Sequence, residues 1–105
     1  MGESTFKTSI EEDNVGIGFI AENVEQEKIS ATSSEATTSF SQEVKAAILL
    51  NAGNDAVHVN FDATATTNHF KLAAGASLSI DLSFTDIHTI CAGSDSTTVY
   101  AIGIW

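Results

Sequence analysis

The stretch Ser77-Leu-Ser-Ile-Asp-Leu-Ser-Phe84 alternates polar with large apolar side chains at every position. Its leucines, isoleucine and phenylalanine share one phase, and its serines and aspartate share the other. Successive side chains of a β-strand point to opposite faces, so this period of two predicts a strand with one buried face. The stretch favours a protein built from sheets that pack through an apolar side.

Further segments of the same kind predict a chain made entirely of short strands. In chain order they cover residues 15–19, 24–29, 40–44, 46–50, 57–61, 70–72, 87–91 and 97–105. A helix over residues 34–45 is disfavoured because serines and threonines, which are poor helix formers, fill it. Seven or eight short strands separated by turns are typical of an antiparallel β-sandwich or jelly roll.

Turn residues between these segments predict three hairpins. They would join residues 46–50 to 57–61, residues 70–72 to the strand at Leu78, and residues 87–91 to 97–105. In the 97–105 segment both faces are largely apolar, which suits a central strand or one that a partner covers.

The length of 105 residues predicts a single domain. We expect residues 15–105 to form the sandwich and residues 1–14 to form an N-terminal arm. Cys91 is the one cysteine, so packing rather than a disulfide holds the fold. The longest apolar run, residues 46–50, is far short of the ~20 residues of a membrane helix, and we find no signal peptide.

The charge balance excludes whole classes of partner. Fourteen acidic residues oppose four lysines and no arginine, which gives a formal net charge of -10. Binding to nucleic acid needs clustered lysine or arginine, and binding to anionic membranes needs the same. We therefore expect neither partner. Nine of the acids, including every glutamate, lie in residues 1–45.

No pattern in the chain predicts catalysis or a cofactor. The residues that could bind zinc are His58, His69, His88 and Cys91, but the spacing of the last two places them on opposite faces of a strand. We expect exposed histidines and a buried, inert cysteine. Structural calcium is the open alternative for Asp55, Asp62, Asp81 and Asp86, although we expect these aspartates to be solvated turn and cap residues. No nucleophile elbow or phosphate-binding loop is present, so we expect no enzyme.

Aromatic and apolar residues supply the candidates for partner binding. Three phenylalanines lie at strand positions whose side chains point to the buried face, and we predict that they are core residues: Phe61, Phe70 and Phe84. Trp105 is either packed into the domain or capped by a neighbouring subunit. The partner-binding candidates are Phe6, Ile10, Phe19, Tyr100 and Trp105, of which the first three would anchor the N-terminal region to a neighbour.

The absence of proline also bears on assembly. Soluble monomers blunt their sheet edges with lysine, proline or bulges, and this chain has four lysines and no proline. We therefore expect the edges to be protected in another way: by closure of the sheets, by an arm, or by the strand of a partner. Protection by a partner would make the protein part of an assembly.

Three motifs carry a resemblance to a known group of proteins. They are N-x-G-x-x-x-V-x-V-N-F-D at residues 51–62, L-x-A-G-x-S-L-x-I-D at residues 72–81 and I-x-x-I-C-A at residues 87–92. Residues 46–105 thereby resemble small accessory virion proteins encoded among the structural genes of tailed bacteriophages. The resemblance implies a β-sandwich that binds the capsid or the tail and has no catalytic residues.

This resemblance leads to two functional expectations. In the first, the protein decorates the outer surface of the capsid, bound to the major capsid protein or other virion proteins and made in the host cytoplasm. It would be a homo-oligomer, with a trimer favoured because trimers are common among such proteins. In the second, it is a neck, tail or fibre component, or a module that binds a glycan or receptor on the host surface. A third possibility, which does not depend on the resemblance, is a free cellular β-sandwich module.

Overall fold

A computed structural model describes residues 22–105, and this part of the chain is all-β. Its eight strands run β1 Val24–Ala31, β2 Ala36–Val44, β3 Ala46–Asn51, β4 Val57–Phe61, β5 Phe70–Leu72, β6 Ser77–Ile80, β7 Phe84–Ile90 and β8 Thr97–Ile104. The expected strand at residues 15–19 and the expected arm at residues 1–14 lie outside the described residues. No helix among the described residues is long and apolar enough to cross a membrane.

The strands form two antiparallel four-stranded sheets packed face to face. The first sheet has the order β1-β8-β3-β6 and the second the order β2-β7-β4-β5. Only β4 and β5 are neighbours both along the chain and within a sheet. Every other connection crosses from one sheet to the other, which is the connectivity of a jelly roll. The predicted fold class is confirmed, and β8 is the central strand that its two apolar faces indicated.

The three predicted hairpins are wrong, because in each of them the two strands belong to different sheets. β3 pairs with β6 and β8, and β4 pairs with β5 and β7. The turn residues are placed where the sequence indicates, but they redirect the chain across the sandwich instead of reversing it within a sheet. Turn chemistry specifies that the chain bends, and packing of the apolar faces decides where it goes next.

Asn51 shows how one of these crossings is held. This residue is fully buried at the end of β3. Its Nδ2 donates to the carbonyl oxygens of Asp55 at 2.8 Å and of Leu72, in the second sheet, at 3.0 Å. Its Oδ1 accepts from the Thr97 hydroxyl at 2.6 Å and from the Gly53 N–H at 3.2 Å. One side chain thus connects both sheets to the turn between β3 and β4.

The stretch that alternates most clearly, residues 77–84, does not form one strand. It breaks after Ile80, and Phe84 starts β7 in the opposite sheet. Leu82, in the link between them, is 43% exposed. Alternation predicts which side chains share a face, but it does not reveal that the chain changes sheets within the stretch.

The core lies between the two sheets. Its buried apolar residues are Ile29, Ala31, Phe40, Val44, Ala47, Leu49, Val57, Val59, Leu72, Phe84, Ile87, Cys91, Val99 and Ala101. The Phe84 ring lies with its centroid 4.6 Å from that of Phe61 and 6.0 Å from that of Phe40. Phe84 is a core residue and Phe61 packs against the core, as predicted. Phe70 was predicted to be buried and is 55% exposed, because it begins the three-residue edge strand β5.

In the described residues the sheet edges are protected by short strands, an irregularity and charged side chains, and this protection needs no strand from a partner. In the described chain β5 and β6 are short, at three and four residues. β2 contains an irregularity between Ser39 and Val44, and β1 carries Glu25, Glu27 and Lys28. Short, bulged and charged edges resist pairing with other chains. The absence of proline is therefore not in itself an argument for assembly.

Glu25 also closes the gap between the edges of the two sheets. Its carboxylate accepts from the Ser41 hydroxyl at 2.6 Å and from the Ser41 N–H at 3.0 Å. These hydrogen bonds lower the pKa of Glu25, whereas a hydrogen bond with Glu25 raises the pKa of Glu27. The contact satisfies a backbone donor in the irregular part of β2.

Candidate docking surface

The outward side of the first sheet is defined by the register of its strands. A Cβ atom at Gly103 would meet the side chains of Val44 and Phe40, so Gly103 faces the core and its neighbours Ile102 and Ile104 face outward. Paired residues share a face. The outward positions are Val24, Gln26, Lys28 and Ser30 on β1, Thr98, Tyr100, Ile102 and Ile104 on β8, Ala46, Ile48 and Leu50 on β3, and Ser77 and Ser79 on β6. We call this surface the apolar face.

The apolar face carries no carboxylate and a single charge, that of Lys28. Tyr100 lies between Leu50 on β3 and Lys28 on β1 in the strand register, and it is 46% exposed. Leu50 is 42% and Val24 is 62% exposed. Three of the five exposed large hydrophobic residues in the described chain therefore lie on this one face. Ala46 and Ile104, at the end of the face next to Val24, are buried. Exposed apolar residues that are grouped on one face indicate an interaction site more often than scattered ones do.

Trp105 does not belong to the apolar face. Its side chain is partly buried against the core, and its carbonyl oxygen accepts from the N–H groups of Glu22 at 2.9 Å and Asn23 at 2.7 Å. Its own N–H donates to the Asn23 carbonyl at 3.0 Å. Of the two outcomes expected for this residue, the structure shows packing into the domain.

The outward side of the second sheet is polar. Thr37 and Ser39 on β2, His58 and Asn60 on β4, and Asp86 and His88 on β7 share it through the strand register. The loop of residues 62–69 lies against it, so all three histidines of the chain meet on one side of the domain. We call this surface the histidine face.

Glu35 connects three elements at the histidine face. Its Oε2 lies 2.8 Å from Nδ1 of His88 on β7 and accepts from the Ala65 N–H at 3.2 Å. These two hydrogen bonds lower the pKa of the Glu35 carboxyl, the histidine contributing most. The contact fastens the middle of the 62–69 loop to the sheet.

Asp62 fastens the start of the same loop. This residue has a positive φ of 59°, a conformation that aspartate tolerates better than most side chains. Its Oδ1 accepts from the N–H groups of Thr85 at 3.0 Å and Asp86 at 2.9 Å. Both backbone bonds lower the pKa of the Asp62 carboxyl, with the bond to Asp86 the larger cause.

His69 holds the end of the loop through its ring and its backbone carbonyl. The Thr66 N–H donates to its Nδ1 at 2.8 Å, so that nitrogen must carry a lone pair. The carbonyl oxygen of His69 lies 3.0 Å from Nδ1 of His58. The imidazoles therefore act as hydrogen-bonding groups that shape the loop.

The other chemistry-bearing residues are used structurally. Within residues 22–105, no group of three or more histidine, cysteine, aspartate or glutamate side chains is placed to hold a metal ion. His88 faces outward and Cys91 is buried in the core, on opposite sides as predicted. The expectation of exposed histidines holds for His69 but not for His58 and His88, which are half-buried against the loop and Glu35. Burial raises the pKa of the Cys91 thiol, with Asp95 and Asp55 adding to the effect. Asp55 accepts from the Ser96 N–H at 3.1 Å, as expected of an aspartate that caps a turn.

Two of the five predicted partner-binding residues lie in the described chain, on opposite faces of the first sheet. Tyr100 lies at the centre of the apolar face, and Trp105 packs against the core. Phe6, Ile10 and Phe19 lie outside the described residues. The sequence analysis missed Leu50, Ile48 and Lys28, because membership of the face depends on the pairing of β3 and β1 with β8.

Comparisons with known proteins add no family to this description. No protein-family model matches the chain, and a search of the curated proteins finds no match.

Proposed function

We propose that the protein is a non-enzymatic structural component of a tailed-phage virion, and that it binds the outer surface of the capsid and stabilises it. One observation supports the proposal: on the described positions of one outward sheet face, an acidic jelly roll presents exposed Val24, Leu50 and Tyr100 and no carboxylate. Such a face is suited to burial in an assembly, and the acidic remainder is suited to solvent. The resemblance of residues 46–105 to accessory virion proteins agrees with this reading.

The net charge of -10 favours the exterior of the capsid. The interior holds densely packed DNA, and like charges repel. A decorating protein also gains from repetition, because many copies that each bury a modest area stabilise a lattice additively. The tightly packed core and satisfied turns of this domain provide a rigid body for that role.

The experiment that tests this proposal is reconstitution on capsids purified without the protein. The chain is added in excess, unbound protein is removed, and bound copies are counted by stained gel and located by electron microscopy. We expect hundreds of copies on the outer surface and a higher temperature of capsid disruption. Absence of binding, or density inside the shell, would contradict the proposal.

Variants connect the binding to the face. Leu50→Glu and Tyr100→Glu should reduce the number of bound copies at least tenfold, because each places a carboxylate in the apolar face. Thr37→Glu, on the histidine face, adds the same charge and should bind like the wild type. Equal loss with all three variants would mean that net charge, and not the apolar face, governs binding.

The alternative is a neck, tail or fibre component, or a module that binds the host surface. The exposed ring of Tyr100 favours this reading, because an aromatic side chain on a sheet face can stack on a sugar. Copy number separates the two: a dozen or fewer copies per virion would support the alternative and reject decoration.

A further inference from the structure

We propose that the 62–69 loop is an acid-sensitive flap on the histidine face, and that protonation of His69 releases its second half, residues 66–69. The first half, residues 62–65, stays attached over the same range of pH. Such a switch acts within one chain, so it holds whether or not the proposed function does.

The ring of His69 is placed where only its neutral form fits. Its Nδ1 lies 2.8 Å from the backbone nitrogen of Thr66, whose N–H can donate and cannot accept. A neutral ring that accepts at Nδ1 carries its proton on Nε2, which lies 3.4 Å from Nδ2 of Asn60. That amide nitrogen is a donor as well, to the Thr64 carbonyl oxygen at 3.1 Å. A protonated ring would therefore face a donor at each of its two nitrogens.

The Thr66 hydroxyl does not remove this conflict. It lies 3.1 Å from Nδ1 of His69 and could accept a hydrogen bond from a protonated ring. Its oxygen already accepts from the Asn68 N–H at 3.2 Å. A bond from Nδ1 to that hydroxyl would still leave the Thr66 N–H without its acceptor. Protonation of His69 therefore breaks the backbone contact in either case.

The positive groups next to His69 favour its release once it is protonated. On β4, Nδ1 of His58 lies 3.0 Å from the His69 carbonyl oxygen. On β5, Lys71 is paired with His58 across the strands, so the two share the outward side of the sheet. Lys71 is positive and His58 gains charge in acid, so a proton on His69 is better accommodated when residues 66–69 have moved away.

The carboxylates of this face are engaged with other groups. Asp86, on β7, accepts from the Ser39 hydroxyl at 2.7 Å. Asp62 accepts from the N–H groups of Thr85 and Asp86, and these bonds lower its pKa from the ordinary 3.8. The attachment of residue 62 is therefore present above that pH and is lost only as pH falls through the lower folded-state value.

Glu35 holds the middle of the loop in the same way. Its carboxylate accepts from the Ala65 N–H, and Ala65 is only 2% exposed. The contact with His88, followed by that with Ala65, lowers the pKa of Glu35 from the ordinary 4.5. Protonation of His88 strengthens its attraction to the Glu35 carboxylate. The first half of the loop therefore stays in place at a pH where histidines are already protonated.

Residues 66–69 can move without disturbing either sheet. All four are exposed, and the His69 N–H donates to the Thr66 carbonyl at 3.0 Å within the same turn. Phe70, the next residue, begins the three-residue edge strand β5. Surface segments with few buried contacts open readily. Their release also takes the His69 carbonyl away from His58, which becomes accessible.

The sign of the pH dependence follows from the protons bound. The closed loop requires His69 without its second proton, and the state that binds fewer protons is favoured as pH rises. Histidine side chains change their charge between about pH 5 and pH 8. We therefore expect a closed loop near the upper limit and a released second half near the lower one.

Hydrogen exchange of the full chain, followed by NMR, tests the inference. The protection factor of the Thr66 amide, which corrects for the intrinsic effect of pH on exchange, should fall at least about tenfold from about pH 7.5 to about pH 5.5. Its midpoint should coincide with the titration of the His69 ring in the same spectra. The Asp86 amide, held by Asp62, should change less than about twofold.

Variants identify the titrating group. His69→Asn replaces Nδ1 with an amide oxygen that accepts at every pH, so the Thr66 amide should be as protected in acid as at neutral pH. His69→Ala should lack this protection at both. His58→Gln removes the neighbouring ring and should keep the wild-type response. Circular dichroism checks that each variant is folded.

Four results would overturn the inference. They are a Thr66 protection factor that does not change with pH in the wild type, a response that survives in His69→Asn, a response that His58→Gln abolishes, and equal loss of protection at Asp86. None of these measurements involves a capsid. A switch found in a chain that does not bind capsids would leave the inference standing and reject the proposed function.

Discussion

The two sheets have similar inner faces and opposite outer faces. Each contributes apolar residues to one shared core, yet the first sheet presents Leu50 and Tyr100 to solvent and the second presents histidines, hydroxyls and an aspartate. The inner faces differ little because both must exclude water. The outer faces are free to differ, so the difference between them carries information about function.

The contrast indicates that the outer faces of the two sheets have different roles. On the histidine face, the side chains of Asp62, Glu35 and His69 accept hydrogen bonds that hold the 62–69 loop in place. On the apolar face, Tyr100 and Leu50 are 46% and 42% exposed, and neither is part of a comparable hydrogen-bonded network among the described residues.

The strongest test of the comparison removes a core ring. Phe84→Ala deletes the side chain that packs between Phe40 and Phe61, and it should lower the free energy of unfolding by about 3–5 kcal/mol in urea titrations. Leu50→Ala, on the apolar face, should change it by no more than about 0.5 kcal/mol. If both substitutions lower the free energy of unfolding equally, Leu50 is a core residue and the distinction between inner and outer faces fails.

The next test breaks the connection between the two sheets. Asn51→Ala leaves the Leu72 carbonyl and the Thr97 hydroxyl without the amide that joins them, and each buried group left unpaired costs about 1–3 kcal/mol. We expect a loss of about 2–3 kcal/mol in unfolding free energy from thermal or urea denaturation. Asn68→Ala, on the exposed loop, is the matched control and should be nearly neutral.

A third test uses pH, which should act on the histidine face through Asp62. The pKa of Asp62 is lowered by folding from its ordinary 3.8, so its contribution to stability is present above that pH and is lost as pH falls through the folded-state value. Asp62→Asn should therefore make the loss of stability below about pH 4 less steep. Unchanged acid denaturation in the variant would show that its two backbone bonds contribute nothing.

The smallest expected effect concerns the end of the loop. His69→Ala removes the acceptor of the Thr66 N–H and should speed hydrogen exchange at that amide at fixed pH, with less than about 1 kcal/mol change in global stability. Amides of β3 and β8 should exchange as in the wild type. Faster exchange across both sheets would mean that the loop supports the whole domain.

The sequence was sufficient to predict the class of fold and most of its strands, because alternation is a local property. It identified β8 as central and Phe84 as a core residue. It failed on pairing: residues 77–84 read as one strand but belong to two sheets, and the turn at Asn51 read as a hairpin but is a crossing. Pairing depends on contacts between distant segments, and local patterns do not contain them.

The candidate docking surface was predictable only in part. Tyr100 was identified from its phase and chemistry, whereas Leu50 and Lys28 became its neighbours through the register of β3 and β1 with β8. Trp105 carried the same aromatic signal as Tyr100, but its side chain packs against the core of its own domain. An aromatic residue in the sequence indicates a packing contact, but only the fold shows whether that contact is with its own chain or with another molecule.

The place of β8 in the first sheet has a consequence for how the protein forms. This strand lies between β1 and β3, and its pairing joins Val24 to Ile104 across eighty positions of the chain. The first sheet therefore cannot close until residues 97–104 have been synthesised, so folding follows release of these residues from the ribosome. High contact order of this kind gives folding times of milliseconds to seconds. Until β8 inserts, the strands that later carry the apolar face have no central partner, and that interval is when the chain is most exposed to aggregation.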